Sequence, residues 1–234
     1  MKILGKSVSQ EFLHFYEDLH PRLGMQIKFE VIRPFRIGYV FGAYDDSASR
    51  VMLRADLPRP AFEHTAAHEL LHVLQAKEGW PKASRGATLS EDSIEEEVAG
   101  LIASLVLDLD VEEQLRKLGF NRSYSDNVRY KQKLKALQGK NVPRLGSPGW
   151  CMWAIHYAIA SQTLSASRLR KLETLHSALA LDIAEKGKEL VAMLNRHGWK
   201  SPDQALRSMV AIRDSLGLTK ERVLITDRRT GIDY

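Results

Sequence analysis

Two histidines and a glutamate with the spacing HExxH are the residues of this chain whose types and positions best fit a chemical role. They are His68, Glu69 and His72, within the segment TAAHELLHVL at residues 65–74. In a helix, residues four apart lie one turn apart on the same face, so both imidazoles can share one metal ion. Zinc accepts such nitrogens and, with a coordination position left open, lowers the pKa of its water toward about 7. The motif therefore indicates metal-assisted hydrolysis, with Glu69 as general base.

The residues around the motif are uncharged, as expected for a helix buried against a sheet. The alternative is an amphipathic helix whose histidines are ordinary residues of its polar face. His64 lies one turn before His68, but three histidines at this spacing span about 12 Å of helix, too far for one ion. We therefore expect His64 at most to support a ligand.

A third ligand should come from the next helix, whose first turn carries Glu95, Glu96 and Glu97. Gln75 and Glu78 stand where a metzincin would continue with glycine and histidine, so that subclass is excluded. Glutamate is also common early in helices, where it interacts favourably with the helix dipole. The residues alone leave open which of the three glutamates binds metal.

The HELLH segment followed by residues 96–103, EEVAGLIA, resembles the gluzincins, and among them the ImmA/IrrE-like minimal gluzincins. The resemblance covers roughly residues 25–107 and implies a zincin-like fold, a zinc cofactor and peptidase activity. It also implies Glu96 as the third ligand, with Ala99 and Ala103 allowing the two helices to approach. Gly100 is a departure, since several gluzincins carry Asp or Asn there.

His156 and Tyr157 lie inside an apolar run at residues 149–160 and are candidates for stabilising the oxyanion of a tetrahedral intermediate. The competing interpretation is a core histidine beside a core tyrosine, which such an apolar segment favours.

The elements that would position these residues follow from apolar periodicity. The pattern predicts an opening helix at residues 7–19, strands at 25–32, 37–44 and 50–55, and the motif helix at 60–78. A polar loop at residues 80–90 and a mostly buried helix to about residue 109 follow, and the rest of the chain reads as helical.

These elements predict an α+β fold with a small N-terminal sheet packed on the motif helix, and the resemblance implies that this fold is zincin-like. We expect a metallopeptidase domain at residues 1–164 and a helical C-terminal extension at 165–234. Residues 50–55 are the expected edge strand that would align a substrate by backbone pairing.

Composition is that of an ordinary soluble domain, with 44% apolar and 27% charged residues. The single cysteine, Cys151, fits a reducing compartment, and no stretch reaches spanning length, so we expect a cytoplasmic protein without membrane contact. The net charge is +5, and residues 127–172 contain no acidic residue. A weak contact with nucleic acid is one interpretation, and a solvated helix face is the simpler one. The basic residues of that stretch are Arg129, Lys131, Lys133, Lys135, Lys140, Arg144, Arg168, Arg170 and Lys171.

The sequence therefore predicts a zinc peptidase acting on a peptide or protein substrate. Two alternatives stay open. One is a regulatory ImmA/IrrE-like protein that cleaves or binds one specific partner, such as a repressor. The other is a non-catalytic binding module stabilised by zinc.

Overall fold

The computed structural model describes residues 1–32, 41–45, 49–90, 92–139 and 141–234. It is a mixed α+β structure, about 61% helical with small sheets, which confirms the predicted class. The chain forms two compact units, each made of two segments. The first unit comprises Met1–Glu78 and Val111–Arg129, and the second comprises Gly79–Asp110 and Tyr130–Tyr234. Residue 164, the domain boundary expected from the sequence, lies inside the second unit.

The first unit contains the predicted opening helix, the strands and the motif helix. Its elements are β1 (Lys2–Ile3), β2 (Lys6–Ser7), α1 (Gln10–Leu23), β3 (Lys28–Val31), β4 (Gly42–Asp45), β5 (Arg50–Leu53) and α2 (Arg59–Lys77). Helix α1 begins where the Ser9 hydroxyl accepts a hydrogen bond from the Phe12 N–H, and it ends at Gly24, which has a φ of 60°.

Strand β5 lies in the middle of the three-stranded sheet, so the prediction that residues 50–55 form its edge is wrong. In the described sheet β5 pairs in parallel with β3 and antiparallel with β4. Side chains alternate between the two faces of a strand, so Val51 and Leu53 lie on the same face of β5, and both are fully buried in the core. The predicted strand at 37–44 overlaps β4, and residues 37–40 of it lie outside the described part of the chain.

Helix α2 matches its prediction to within one residue at each end. Pro60 occupies its first turn, where the missing N–H costs nothing, and Gly79 follows its C-terminus with a φ of 81°. Apolar residues of α2 join the sheet and α1 in one core. The largest fully buried side chains of that core include Phe12, Leu23, Leu53, Phe62, Leu70 and Leu115.

The second unit is mainly helical but also contains a small sheet. Its elements are β6 (Lys82–Arg85), α3 (Ile94–Lys117), α4 (Ser123–Gln138), α5 (Pro148–Thr163), α6 (Ala166–Leu179), α7 (Leu181–His197), α8 (Pro202–Ser215), β7 (Val223–Asp227) and β8 (Ile232–Asp233). Helices α3 and α4 each extend into the first unit.

Strands β6 and β7 correct two predictions. Residues 82–85, expected to lie in a polar loop, pair antiparallel with residues 223–226, which were expected to be helical. Strand β8 continues this sheet on the other side of β7.

Among the described helices, we find none with the length and apolar character required to cross a bilayer.

Candidate metal centre

The imidazoles of His68 and His72 converge from successive turns of α2. Their Nε2 atoms lie 3.0 Å apart, and the rings meet edge to face with centroids 4.6 Å apart. Two nitrogens bound to one zinc ion at about 2.05 Å in tetrahedral geometry would be roughly 3.3 Å apart. The two histidines therefore already have nearly the separation that a shared ion requires.

Each of these rings has a hydrogen-bond acceptor behind it. The Nδ1 atom of His68 lies 2.9 Å from Oε1 of Glu112, and Nδ1 of His72 lies 3.0 Å from Oε1 of Gln75. A carboxylate and an amide carbonyl can only accept, so both rings carry a hydrogen on Nδ1. Their Nε2 lone pairs consequently face each other, an arrangement that needs a proton or a metal ion between them.

Asp108 completes a group that could hold a metal ion. One ligand atom from each of His68, His72 and Asp108 lies within 4.8 Å of the others. Asp108 is only 8% exposed, and the His68 side chain is 12% exposed. Two imidazoles with one carboxylate are a donor set that zinc accepts, and three protein ligands leave a coordination position open.

Helix α3 presents both Asp108 and the residue that supports His68. Asp108 and Glu112 are four residues apart, so they lie one turn apart on one face of this continuous helix. That face supplies a candidate ligand and the acceptor for another ligand.

The carboxylate of Glu112 is held ionised by its neighbours. Its Oε2 lies 3.1 Å from Nε2 of His64 and 3.5 Å from Nη1 of Arg122. Burial alone would raise the pKa of Glu112, but the hydrogen bonds from His64 and His68 and the nearby guanidinium of Arg122 hold that pKa well below its ordinary value. His64 thus forms a hydrogen bond with the Glu112 carboxylate, which in turn forms a hydrogen bond with the ring of His68.

Glu69 lies under strand β4, at a close approach between that strand and α2. It is 7% exposed. A Cβ atom added to Gly42 would lie 2.9 Å from Cγ of Glu69 and 2.7 Å from Cγ2 of Thr65, so a glycine is needed for this contact. The ring of Tyr44, also on β4, stacks on His72 with centroids 6.0 Å apart.

The geometry does not support Glu96, or its neighbours, as the third ligand. Oε2 of Glu96 accepts a hydrogen bond from the backbone N–H of Arg85 at 2.9 Å, and Glu95 pairs with Arg222 at 2.6 Å. Glu96 precedes Asp108 by twelve residues of one helix, which corresponds to about 18 Å. A side chain cannot span that distance to reach the same ion. Glu97, next to Glu96, lies almost as far from Asp108 along the same helix.

His156 and Tyr157 lie on α5 and line a cavity of the second unit. The Tyr157 hydroxyl donates to Oε1 of Glu173 at 3.1 Å, and the backbone carbonyl of His156 accepts from Nζ of Lys133. Burial and the Glu173 carboxylate raise the pKa of Tyr157 to about 12. Their role in stabilising an oxyanion stays a prediction.

Asp108 and Glu112 are the residues that sequence reasoning missed. The usable signal was an aspartate inside the apolar run of α3, between Leu107 and Leu109, with a second acid one turn later. A charged residue at such a position is seldom buried without a partner or a metal ion.

Lys133, Arg168 and Arg170, all basic residues between 127 and 172, make side-chain contacts within the second unit. Besides the bond from Lys133 to His156, the guanidinium of Arg168 lies 5.3 Å from the ring centre of Tyr130. Lys140 lies outside the described residues. Nucleic-acid contact stays a prediction.

Comparisons with protein-family models, with curated proteins and with solved structures found no match.

Proposed function

We propose that this protein is a zinc-dependent hydrolase that cleaves peptide bonds, with His68, His72 and Asp108 as metal ligands. The observation that carries the proposal is the pair of Nε2 atoms 3.0 Å apart, each on a ring whose other nitrogen faces an acceptor. A helical HExxH motif without a metal role would not need both rings oriented in this way.

The chain's own residues can perform the proton transfers of hydrolysis. Zinc held by the three ligands would supply a Lewis acid that acidifies water and polarises a carbonyl group. Glu69 is the base that removes a proton from the attacking water and returns it to the leaving amine. Glu112 and Gln75 keep the two imidazoles in the tautomer that offers Nε2 to the ion.

The choice of a peptide as substrate rests on the HExxH motif and on its resemblance to zincin-like peptidases. A small sheet beside the motif helix agrees with that resemblance. Asp108 departs from it, because a gluzincin uses a glutamate as third ligand.

A purely structural zinc site is the weaker alternative. Structural zinc normally has four protein ligands, whereas the described residues offer three in this group. A structural site would also have no use for Glu69, a buried carboxylate adjacent to a ligand.

The test is the Glu69→Gln variant, which preserves the shape of the side chain and removes the base. We expect it to bind one zinc ion as the wild type does, and to hydrolyse a pool of unstructured fluorogenic peptides about 10²- to 10⁴-fold more slowly. Glu78→Gln is the matched control, since Glu78 follows the same helix and pairs with Arg22 at the surface. Undiminished hydrolysis by Glu69→Gln, or a wild-type protein that binds no zinc, would overturn the proposal.

A further inference from the structure

The carboxylate of Glu112 has partners on both of its oxygens. Oε1 lies 2.9 Å from Nδ1 of His68, whereas Oε2 lies 3.1 Å from Nε2 of His64 and 3.5 Å from Nη1 of Arg122. The side chains of His64, Glu112 and Arg122 are only 5%, 15% and 18% exposed. One oxygen therefore supports a proposed metal ligand, and the other is held by two groups that are themselves largely shielded from water.

His64 contributes a hydrogen-bond donor to this carboxylate. Ionised Glu112 can only accept, so Nε2 of His64 carries a hydrogen that is directed at Oε2. His64 and His68 lie one turn apart on α2, with ring centroids 6.2 Å apart, and both rings reach the same carboxylate. This contact gives His64 a use that does not require it to bind the ion.

Arg122 is itself fixed in place. It directly precedes α4, and its Nε atom donates to Oδ1 of Asp126 at 2.7 Å. The Asp126 side chain is 18% exposed, so this ion pair is also mostly buried. Holding Nε in this way leaves Nη1 of the planar guanidinium facing Oε2 of Glu112. The negative charge of Glu112 therefore has a counter-charge that Asp126 orients.

The partners of Oε2 determine what Oε1 can do. A carboxylate that is held at one oxygen can rotate about its Cγ–Cδ bond, and this rotation breaks the hydrogen bond at that oxygen. His64 and Arg122 bind the other oxygen of Glu112 and oppose the rotation, so Oε1 stays directed at Nδ1 of His68. Groups in such a buried network depend on one another, and removal of an outer member weakens the inner hydrogen bond.

We propose that His64 and Arg122 are positioning residues of the metal centre, and that they act on His68 only through Glu112. This role rests on the proposed function, because it assigns the two residues to zinc held by His68. All four residues belong to the first unit, and neither His64 nor Arg122 needs to touch the ion or a substrate.

The first experiment measures the zinc affinity of full-length variants by competition with a chromophoric chelator. His64→Leu removes the donor and should weaken zinc binding about 5- to 10-fold, less than loss of the Glu112 carboxylate itself. His64→Gln places an amide N–H near the position of Nε2 and should bind zinc within about 2-fold of the wild type. Arg122→Met should weaken binding about 3- to 5-fold, whereas Arg116→Met, at an exposed arginine of α3, should leave it unchanged.

A double-mutant cycle tests whether the effect of His64 passes through Glu112. If it does, His64→Leu should change the zinc affinity less than about 2-fold in a chain that already carries Glu112→Met. A residue with only a packing role would cost the same with and without the carboxylate. Equal zinc affinity of His64→Leu and the wild type, failure of His64→Gln to preserve binding, or an additive cycle would overturn the proposal.

NMR of the metal-free chain separates this role from the proposed function. With ¹⁵N-labelled histidine, the Nδ1–H hydrogen of His68 should exchange with water at least about 5-fold faster in His64→Leu than in the wild type or in His64→Gln. Unchanged exchange would overturn the positioning role. A wild type that binds no zinc would overturn the proposed function, and the exchange rate would still decide whether His64 holds Glu112 against His68.

Discussion

Two buried imidazoles of this molecule, His68 on α2 and His176 on α6, differ in what surrounds them. Glu112 fixes the hydrogen of His68 on Nδ1 and leaves Nε2 directed at a second histidine. Nδ1 of His176 has no partner among the described residues, and aromatic rings enclose the side chain. The comparison teaches that burial alone does not identify a ligand. His68 is distinguished by two neighbours. A hydrogen-bond acceptor holds one of its ring nitrogens, and a second imidazole nitrogen that could bind the same metal ion faces the other.

Among the changes that test this comparison, the largest effect is expected from removing the carboxylate that supports His68. Glu112→Gln keeps the size of the side chain but removes its charge, so it should weaken zinc binding about 10- to 100-fold. Competition with a chromophoric chelator at pH 7.5 measures the change. Glu113→Gln is the matched control, because the neighbouring Glu113 pairs with Lys117 on the same helix. If the two variants bind zinc equally well, Glu112 does not position His68.

The second prediction compares packing in the two regions. Gly42→Ala places a methyl group within 3.0 Å of Thr65 and Glu69, so it should lower the free energy of unfolding by about 1–3 kcal/mol. Ala160 lines the cavity of the second unit, so Ala160→Val has adjacent free space and should cost less than about 1 kcal/mol. Urea denaturation of both variants measures these costs. If Ala160→Val costs more than Gly42→Ala, the packing around Gly42 is looser than the packing around the cavity.

The smallest expected effect is a pH dependence due to His176. Burial and the nearby ammonium of Lys133 lower its pKa to about 4 in the folded protein, below the ordinary value near 6.5, so the unfolded chain takes up a proton first as the pH falls. This difference in proton uptake should cost the folded state about 1 kcal/mol of stability between pH 6.5 and pH 4. The cost is smaller than the pKa difference alone would give, because the partly open cavity leaves the ring partly solvated. His176→Phe should remove that part of the pH dependence. If the free energy of unfolding depends on pH in the same way in the wild type and in the variant, the His176 ring has an ordinary pKa and the prediction is wrong.

Local sequence signals predicted the parts of the fold that depend on neighbours in the chain. Helix α2 has a proline in its first turn and a glycine after its end, and both bounds were predicted to within one residue. The sequence likewise predicted a strand at residues 50–55, and β5 lies within that range. Its place in the middle of the sheet could not be predicted, because strand order depends on contacts between distant segments.

The proposed third ligand shows the same limit. The two histidines were predicted from their spacing in one helix, whereas the acidic residue that lies near them depends on which turn of the 24-residue helix α3 meets α2. That register is set by packing of the two helices. Glu96 and Glu95, at the start of α3, are instead bonded to Arg85 and Arg222 in the second unit. The pairing of β6 with β7 was missed for a similar reason, since Lys82 and Thr226 are far apart in sequence.

The most direct test of the central claim is zinc binding by two variants of helix α3, Asp108→Ala and Glu96→Ala, measured by metal analysis and chelator competition. The account predicts that Asp108→Ala weakens zinc binding more than about 100-fold, while Glu96→Ala binds one zinc ion with wild-type affinity. Circular dichroism of both variants checks that each remains folded. Loss of zinc from a folded Glu96→Ala variant, with Asp108→Ala unaffected, would contradict the account.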